Sequence, residues 1–186
     1  MKQIQLLTIL SLLSFFLIGC SSRPSSPPKT VSHVDLERYL GDWYEIASYP
    51  QWFQEGCTAT QATYSLIEPG KVKVLNSCRL ENPETGKVKA AEGVAWVVEH
   101  SSNAKLKVQF PLSSWFQTSF LAGDYWIIDL DSEYQYAIVS DPNKEYLWIL
   151  YRKPKMEEAQ LKTLLEKLKN WGYNLDRIQY TRHTEG

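Results

Sequence analysis

The chain has 186 residues, of which 44% are hydrophobic and 22% are charged, and its formal net charge is −1. This length fits about one folded domain, and the apolar content excludes a fully disordered chain. The near-neutral balance argues against nucleic acid as a partner, because neutralising phosphates requires an excess of lysine and arginine. Two features need an explanation, namely the 13% aromatic content and the odd number of cysteines, three.

The N-terminal segment has one lysine, Lys2, followed by a mostly apolar run over residues 6–19 that ends at Cys20. A basic start and ~14 apolar residues are typical of a secretory signal peptide and are too short to span a bilayer comfortably. The Leu-Ile-Gly-Cys end resembles a bacterial lipobox, whose cysteine is acylated and becomes the mature N-terminus. We therefore expect a signal peptide over residues 1–19 and lipidation of Cys20, with palmitate as one of the acyl chains. The alternative is an ordinary signal peptide with an incidental cysteine.

Serine and proline dominate the residues that follow, so we expect a lipidated, extended tether over residues 20–32. A serine directly follows the cysteine, and this arrangement resembles the one in lipoproteins that Gram-negative bacteria transfer to the outer membrane. A folded domain is predicted over residues 33–182, with a short tail over 183–186.

The folded part reads as short β-rich runs with a two-residue period, separated by turn residues such as those at 69–70 and 141–143. Eight consecutive strands with short connections predict an all-β, up-and-down antiparallel barrel, a size that holds one small ligand. The predicted strands cover residues 43–49, 58–66, 71–79, 87–99, 104–110, 124–130, 134–140 and 145–152.

One helix is predicted after Pro154, and Gly172 is a natural residue to end it. We expect its apolar stripe to pack on the outside of the barrel, with a membrane-binding face as the alternative. A short final strand is predicted near residues 178–182. The stripe consists of Leu161, Leu164, Leu165, Leu168 and Trp171.

Three segments resemble the motifs of the lipocalin family. Residues 41–43 (Gly-Asp-Trp) look like its first motif, Gly-x-Trp, and residues 147–152 look like its third, which ends in a basic residue. Residues 140–142 (Ser-Asp-Pro) occupy the place of the second motif, with Pro142 replacing an aromatic residue. The resemblance covers about residues 33–182 and points to the bacterial lipocalin and apolipoprotein D branch.

The resemblance implies how the barrel is closed at one end. Gly41 and Trp43 belong to the first motif, and the Trp43 ring is expected to plug the barrel. Arg152 is expected to lie across that ring, where a cation over an indole contributes ~0.5–2 kcal/mol.

The resemblance also implies a ligand cavity. Alternation along residues 106–110 points Leu106, Val108 and Phe110 inward. An apolar wall with a few polar groups suits an amphiphile, and the alternative is that these aromatic residues are only packed core. The expected cavity residues are Tyr64, Asn76, Phe110 and Trp148, with Tyr125 as a further candidate.

Two predicted loops carry aromatic residues, over residues 52–54 and 111–116. At the open mouth of a barrel, exposed rings of this kind favour contact with a membrane or a lipid. The alternative is that both loops fold over the barrel and bury the rings.

Cys57 and Cys78 flank a predicted hairpin. With Leu66 opposite Lys71, Cys78 faces Ala59, so the two sulfurs are one diagonal step apart, which a bulge or a one-residue change of register would close. Export to an oxidising compartment favours a disulfide. The alternatives are two unpaired thiols, or a reactive thiol at Cys78 of the kind that one lipocalin branch uses for isomerisation.

No pattern of catalytic or metal-binding residues emerges. His33, His100 and His183 are far apart in the sequence, and phosphate-loop and nucleophile-elbow motifs are missing from it. Asp141 and Glu45 are acid or base candidates, although a turn-capping Asp and a hydrogen-bonded strand Glu near the barrel base are commoner. We therefore expect no enzyme, no cofactor and no metal.

The predicted function is a membrane-anchored lipocalin that binds a fatty acid, a lysophospholipid or a similar hydrophobic molecule. Its role would be lipid transport, storage or membrane maintenance under stress, in the cell envelope and at the periplasmic face of the outer membrane. The sequence is compatible with a monomer and with a homodimer. The alternatives are a lipocalin-like enzyme acting on a polyene or lipid, and a purely structural envelope lipoprotein.

Overall fold

The fold is taken from a computed structural model that describes residues 26–110 and 122–184. Nine strands are present in this part of the chain: β1 Gly41–Ser48, β2 Cys57–Glu68, β3 Lys71–Leu80, β4 Val88–Val97, β5 Lys105–Gln109, β6 Gly123–Leu130, β7 Tyr136–Ser140, β8 Leu147–Tyr151 and β9 Gln179–Tyr180. Strands β1 to β8 form a closed antiparallel barrel, because each pairs with the next and β1 also pairs with β8. The predicted eight-stranded up-and-down barrel is confirmed.

The main helix, α2, runs over Glu158–Asn170 and packs on the outside of the barrel. It buries Leu164 and Leu168 against outward-facing apolar residues of the sheet such as Ile138. Lys167 donates from Nζ to Asp129 Oδ2 on β6 at 2.8 Å, which ties the helix to the sheet. No helix in the described ranges is long and apolar enough to cross a membrane.

A second, four-residue helix, α1 over Leu36–Tyr39, was not predicted from the sequence. The carboxylate of Asp35 caps it by accepting from the backbone N–H groups of Glu37 at 3.0 Å and Arg38 at 3.2 Å. One turn of helix is too short to produce an apolar repeat, so only the capping residue could have indicated it.

The strand connections gather at two ends of the barrel. At one end, called the closed end, α1 lies across the connections and Val34 N–H donates to the Ser102 carbonyl at 2.7 Å. The other end is called the open end. Connections at the closed end cover residues 69–70, 98–104 and 131–135, and those at the open end include residues 49–56, 81–87 and 141–146.

The C-terminal strand β9 inserts between β1 and β2 toward the open end. Strands β1 and β2 pair only from Gly41 to Tyr44 on the β1 side. Beyond this point β1 pairs with β9 through Ala47 and Ser48. On the other side, Ala59 N–H donates to the Arg182 carbonyl at 2.7 Å. The last strand therefore fills a gap in the barrel wall.

Cys57 and Cys78 are joined by a disulfide, with their Cα atoms 5.5 Å apart. The register of β2 against β3 shifts between Thr58 and Gln61, and Ala59 within this shift has a φ of +48°. This is the irregularity that the sequence analysis required for pairing.

One register prediction is wrong. Leu66 lies opposite Val72, whereas the sequence analysis placed it opposite Lys71. A second irregularity, between Leu66 and Glu68, adds a residue on the β2 side next to the turn and moves the register by one position.

Candidate functional site

The closed end of the barrel is plugged by an indole ring. Trp43 is fully buried, and its Nε1 donates to the Tyr39 carbonyl at 2.8 Å. The guanidinium carbon of Arg152 lies 3.8 Å from a Trp43 ring centre, within the distance for a cation–π contact. Gly41 has a φ of +88°, which disfavours other residues at this position.

Arg152 also ties together the backbone around this plug. Its guanidinium donates to four carbonyl oxygens at 2.8–3.1 Å, so the elements that meet at the closed end are held by one side chain. The acceptors are the carbonyls of Arg38, Leu40, Asp42 and Tyr134.

A cavity of about 850 Å³ lies inside the barrel and opens at the opposite end. This volume is within the ~300–1,000 Å³ range of small-molecule sites. Its wall is largely apolar, because the two-residue period of each strand sends alternate side chains inward. Inward apolar residues include Val72, Val74, Ala95, Leu106, Val108 and Ile127.

All five residues expected to line the cavity border it in the structure. Their contact with a ligand stays a prediction. The five are Tyr64, Asn76, Phe110, Tyr125 and Trp148.

Three tyrosine hydroxyls meet inside the barrel. The Tyr125 hydroxyl lies 2.8 Å from that of Tyr39 and 2.9 Å from that of Tyr64. Each hydroxyl carries one proton and two hydrogen bonds use two of them, so one O–H proton is left for a ligand or for water. Tyr39 was missed from the sequence because it belongs to the unpredicted helix α1.

Burial keeps these hydroxyls protonated. It raises the pKa of Tyr64 to about 12, and it raises the pKa of Tyr39 and of Tyr125 well above the ordinary tyrosine value. The trio therefore offers neutral hydrogen-bonding groups over the whole physiological pH range.

A second polar group, centred on Glu45, lies between the cavity and the open end. Glu45 is buried, and its Oε1 accepts from Ser48 Oγ at 3.2 Å and from Thr181 Oγ1 at 2.5 Å. Its Oε2 accepts from Gln54 Nε2 at 2.7 Å, and Gln54 Oε1 accepts from Trp148 Nε1 at 3.3 Å. The sequence analysis associated a strand Glu with the barrel base, whereas the structure places Glu45 near the rim.

The open end exposes aromatic side chains. Trp52 is 79% exposed and Phe53 is 39% exposed, and Lys89 Nζ donates to the Phe53 carbonyl at 2.9 Å. Of the two loops expected here, the one at 52–54 therefore presents its rings to the surroundings. Residues 111–116 and Cys20 lie outside the described residues.

No cluster of metal-ligating side chains occurs within residues 26–110 and 122–184. Asp141, one of the two acid candidates, caps its own turn by accepting from Asn143 N–H at 2.9 Å and Tyr146 N–H at 2.8 Å. Its two carboxylate oxygens are thereby engaged in local structure.

Comparison with curated proteins finds relatives over most of the chain. The outer membrane lipoprotein Blc of Vibrio cholerae is 39% identical over 174 residues, which cover 93% of this chain and 96% of that protein. Temperature-induced lipocalin-1 of Arabidopsis thaliana is 38% identical over 159 residues, covering 84% and 83%. Apolipoprotein D of Rattus norvegicus is 36% identical over 148 residues, covering 76% and 70%.

Solved structures share the fold. Insecticyanin from the tobacco hornworm Manduca sexta has a TM-score of 0.67 at 21% identity, covering 87% of this chain and 86% of that one. Lobster apocrustacyanin A1 has a TM-score of 0.62 at 16% identity, covering 88% and 93%. The family model described as a lipocalin-like domain matches residues 34–183. The chain belongs to the lipocalin family.

Proposed function

We propose that the protein binds a lipid or another small hydrophobic molecule in the barrel cavity and acts as a carrier or store, without catalysing a reaction. The observation that carries this proposal is the 850 Å³ apolar cavity that is closed at one end by Trp43 and open at the other. Burial of apolar surface would drive binding at roughly 25 cal/mol per Å² before entropy costs.

The placement of polar groups supports an amphiphilic ligand. The tyrosine trio supplies a hydrogen-bond donor within the barrel, and Asn76 lines the wall. The Glu45 group lies toward the rim. Fatty acids and lysophospholipids, with one long tail and a polar head, fit this distribution of surfaces.

A place in the cell envelope belongs to the same proposal. The relatives from Vibrio cholerae, Citrobacter freundii and Escherichia coli are named outer membrane lipoproteins. We propose that residues 1–19 are removed and that Cys20 carries acyl chains. Residues 20–32 would then tether the barrel, over residues 33–182, to the membrane. Whether the anchored protein is a monomer or a homodimer would be read from its native mass.

Ligand binding is tested by adding a fatty acid or a lysophospholipid to delipidated protein and following tryptophan fluorescence, since Trp148 borders the cavity. Native mass spectrometry of protein purified with its bound lipids identifies the physiological ligand. Ala91→Trp would fill the cavity that Ala91 lines and should abolish binding. The matched control, Ala159→Trp on the exposed side of α2, should bind as the wild type does.

The binding proposal is wrong if delipidated protein binds neither class of lipid and carries no lipid out of cells. Product formation that depends on an acidic cavity residue would instead favour an enzyme. The anchor is tested separately by incorporation of labelled palmitate, which Cys20→Ala should abolish.

A further inference from the structure

A second recess lies beside the barrel mouth, where β9 inserts next to β1. It has a volume of about 400 Å³ and is lined by residues of β1, of the 49–57 connection and of β9. Glu45, Trp52, Gln54 and Cys57 border both this recess and the main cavity. These shared residues place the recess, which we call the side cleft, directly next to the mouth of the main cavity.

Glu45 borders the side cleft, and its carboxylate has no positively charged partner within residues 26–110 and 122–184. Its hydrogen-bond donors are the neutral side chains of Ser48, Gln54 and Thr181. None of the ion pairs among the described residues includes it. A buried carboxylate is ordinarily paired with a cation or a metal, so this one has capacity for a cationic ligand.

A second observation points to a ligand in the same place. Gln51 lines the side cleft and is only 8% exposed, yet its Nε2 has no hydrogen-bond partner among the described residues. A buried amide without a hydrogen-bond partner destabilises the folded state, because it has lost its bonds to water. The amide nitrogen is a donor, so it would be satisfied by an oxygen atom next to the charged nitrogen of a head group and not by the ammonium group itself.

The charges around the cavity favour a cation over an anion. Of the charged residues that line it, four are acidic and one, Lys89, is basic. The segment 111–121 contains no charged residue, so it does not alter this balance. The acidic lining residues are Glu45, Asp124, Asp141 and Glu145.

Asp124 is paired, because Lys107 Nζ lies 2.9 Å from its carboxylate, so three of these four acidic residues lie outside the ion pairs of the described residues. Arg182, which follows the side-cleft residue Thr181, donates from Nη2 to the Glu81 carbonyl at 2.7 Å. The His183 ring lies 2.7 Å from the backbone carbonyl of Glu45 rather than from its carboxylate.

We propose that the side cleft binds the positively charged head group of an amphiphile whose tail occupies the barrel. The ammonium group would lie against the Glu45 carboxylate, and the exposed ring of Trp52 would offer a cation–π contact at the outer edge. This inference rests on the proposed function and narrows it: the ligand carries a positively charged group at its head, so of the two lipid classes proposed above it disfavours fatty acids, whose head group is an anionic carboxylate.

The test uses three probes that share one tail and differ in head charge: dodecylamine, which is protonated at neutral pH, dodecanol and dodecanoate. Affinities are measured by tryptophan fluorescence on delipidated protein. We expect dodecylammonium to bind about 10-fold more tightly than dodecanol, as for a hydrogen bond to a charged group, and dodecanoate to bind more weakly than dodecanol.

Glu45→Gln should bring the ratio of dodecylammonium to dodecanol affinity close to one. The ratio is taken within each variant, so a change in affinity that is common to both probes cancels. Glu45→Asp keeps the charge but withdraws it by one methylene, so it should give an intermediate ratio. Glu166→Gln on the exposed face of α2 is the matched control and should keep the wild-type ratio.

The outcomes distinguish a failure of the head-group inference from a failure of the proposed function. Equal affinities of wild type for dodecylammonium and dodecanol would overturn the head-group inference while leaving the binding proposal in place. An unchanged ratio in both Glu45 variants would overturn it as well. If none of the three probes binds, the proposed function itself fails. Dodecanol affinity also reports whether each variant has kept a folded cavity.

Discussion

The two ends of this barrel differ in how completely their side chains are buried and hydrogen-bonded. At the closed end, the Arg152 guanidinium lies over the buried Trp43 ring and donates hydrogen bonds to the surrounding backbone carbonyls. The Trp43 indole N–H also donates to a carbonyl. At the open end, Trp52 is 79% exposed, and the buried Gln51 Nε2 has no hydrogen-bond partner in the part of the chain that the structure describes. The closed end is therefore built for stability, whereas the open end keeps an unpartnered amide and an exposed ring that are available for other contacts.

The largest effect is expected from breaking the closed end. Trp43→Ala should lower the free energy of unfolding by about 3–5 kcal/mol, because it removes a fully buried aromatic ring and leaves Arg152 without its stacking surface. Urea denaturation measures this loss. Trp171→Ala, at the partly exposed end of α2, is the control and should cost less than about 1 kcal/mol. A similar loss in both variants would contradict the contrast between the two ends.

The open end has one strong covalent constraint. Cys57 and Cys78 are 21 positions apart, and closing a loop of this length should contribute about 3 kcal/mol by the chain-entropy argument. A Cys57→Ser/Cys78→Ser double variant and reduced wild type should therefore show the same lowered denaturation midpoint. Adding reductant to the double variant is the control and should change nothing. If reductant leaves the wild-type midpoint unmoved, the bridge does not stabilise this end.

Alkaline pH probes the interior between the two ends. Burial raises the pKa of Tyr64 from 10.0 to about 12, so the folded state holds this proton more tightly than the unfolded state does. Its contribution is fully present below pH 10 and is lost as pH rises through 12, a loss of roughly 3 kcal/mol.

Unfolding curves recorded from neutral pH upward would measure this decline, and Tyr64→Phe should make it shallower, while Tyr39 and Tyr125 account for the part that remains. Tyr180→Phe is the matched control, because Tyr180 is 59% exposed. Equal slopes for the wild type and Tyr64→Phe would show that the buried hydroxyl does not govern alkaline stability.

The smallest effect on stability is expected at the rim. Trp52→Ala should change the free energy of unfolding by less than about 0.5 kcal/mol, because the ring is mostly exposed. If the rim contacts a membrane, the same change should weaken association with phospholipid vesicles several-fold, as measured by co-sedimentation. Trp171→Ala controls for the loss of any exposed tryptophan. Equal vesicle binding by both variants would show that the rim does not contact the membrane through Trp52.

Local patterns were sufficient to predict much of the barrel. Alternation along residues 106–110 placed Leu106, Val108 and Phe110 on the inner face, where the cavity is found. The amphipathic repeat likewise predicted α2 and its outward position. Each of these two patterns involves residues only a few positions apart in the chain, which is why it can be recognised in the sequence.

The polar groups of the site depend on distant contacts and could not be predicted in this way. Tyr39 and Tyr125 are 86 positions apart, and Thr181 donates to Glu45 across 136 positions. The misplaced register at Leu66 has a related cause, because nothing in the local pattern shows which strand accommodates an extra residue next to a turn.

The position of β9 has a consequence for how this molecule acquires its structure. Strand β1 finds partners in β2, β8 and β9, and Arg152 reaches a carbonyl 114 positions earlier in the chain. Such non-local pairing makes folding slow, because distant segments must meet before contacts compensate for the lost chain entropy. A chain shortened before β9 would have neither the Thr181 bond to Glu45 nor a filled wall between β1 and β2, so the rim around Glu45 is completed only after β9 has been made.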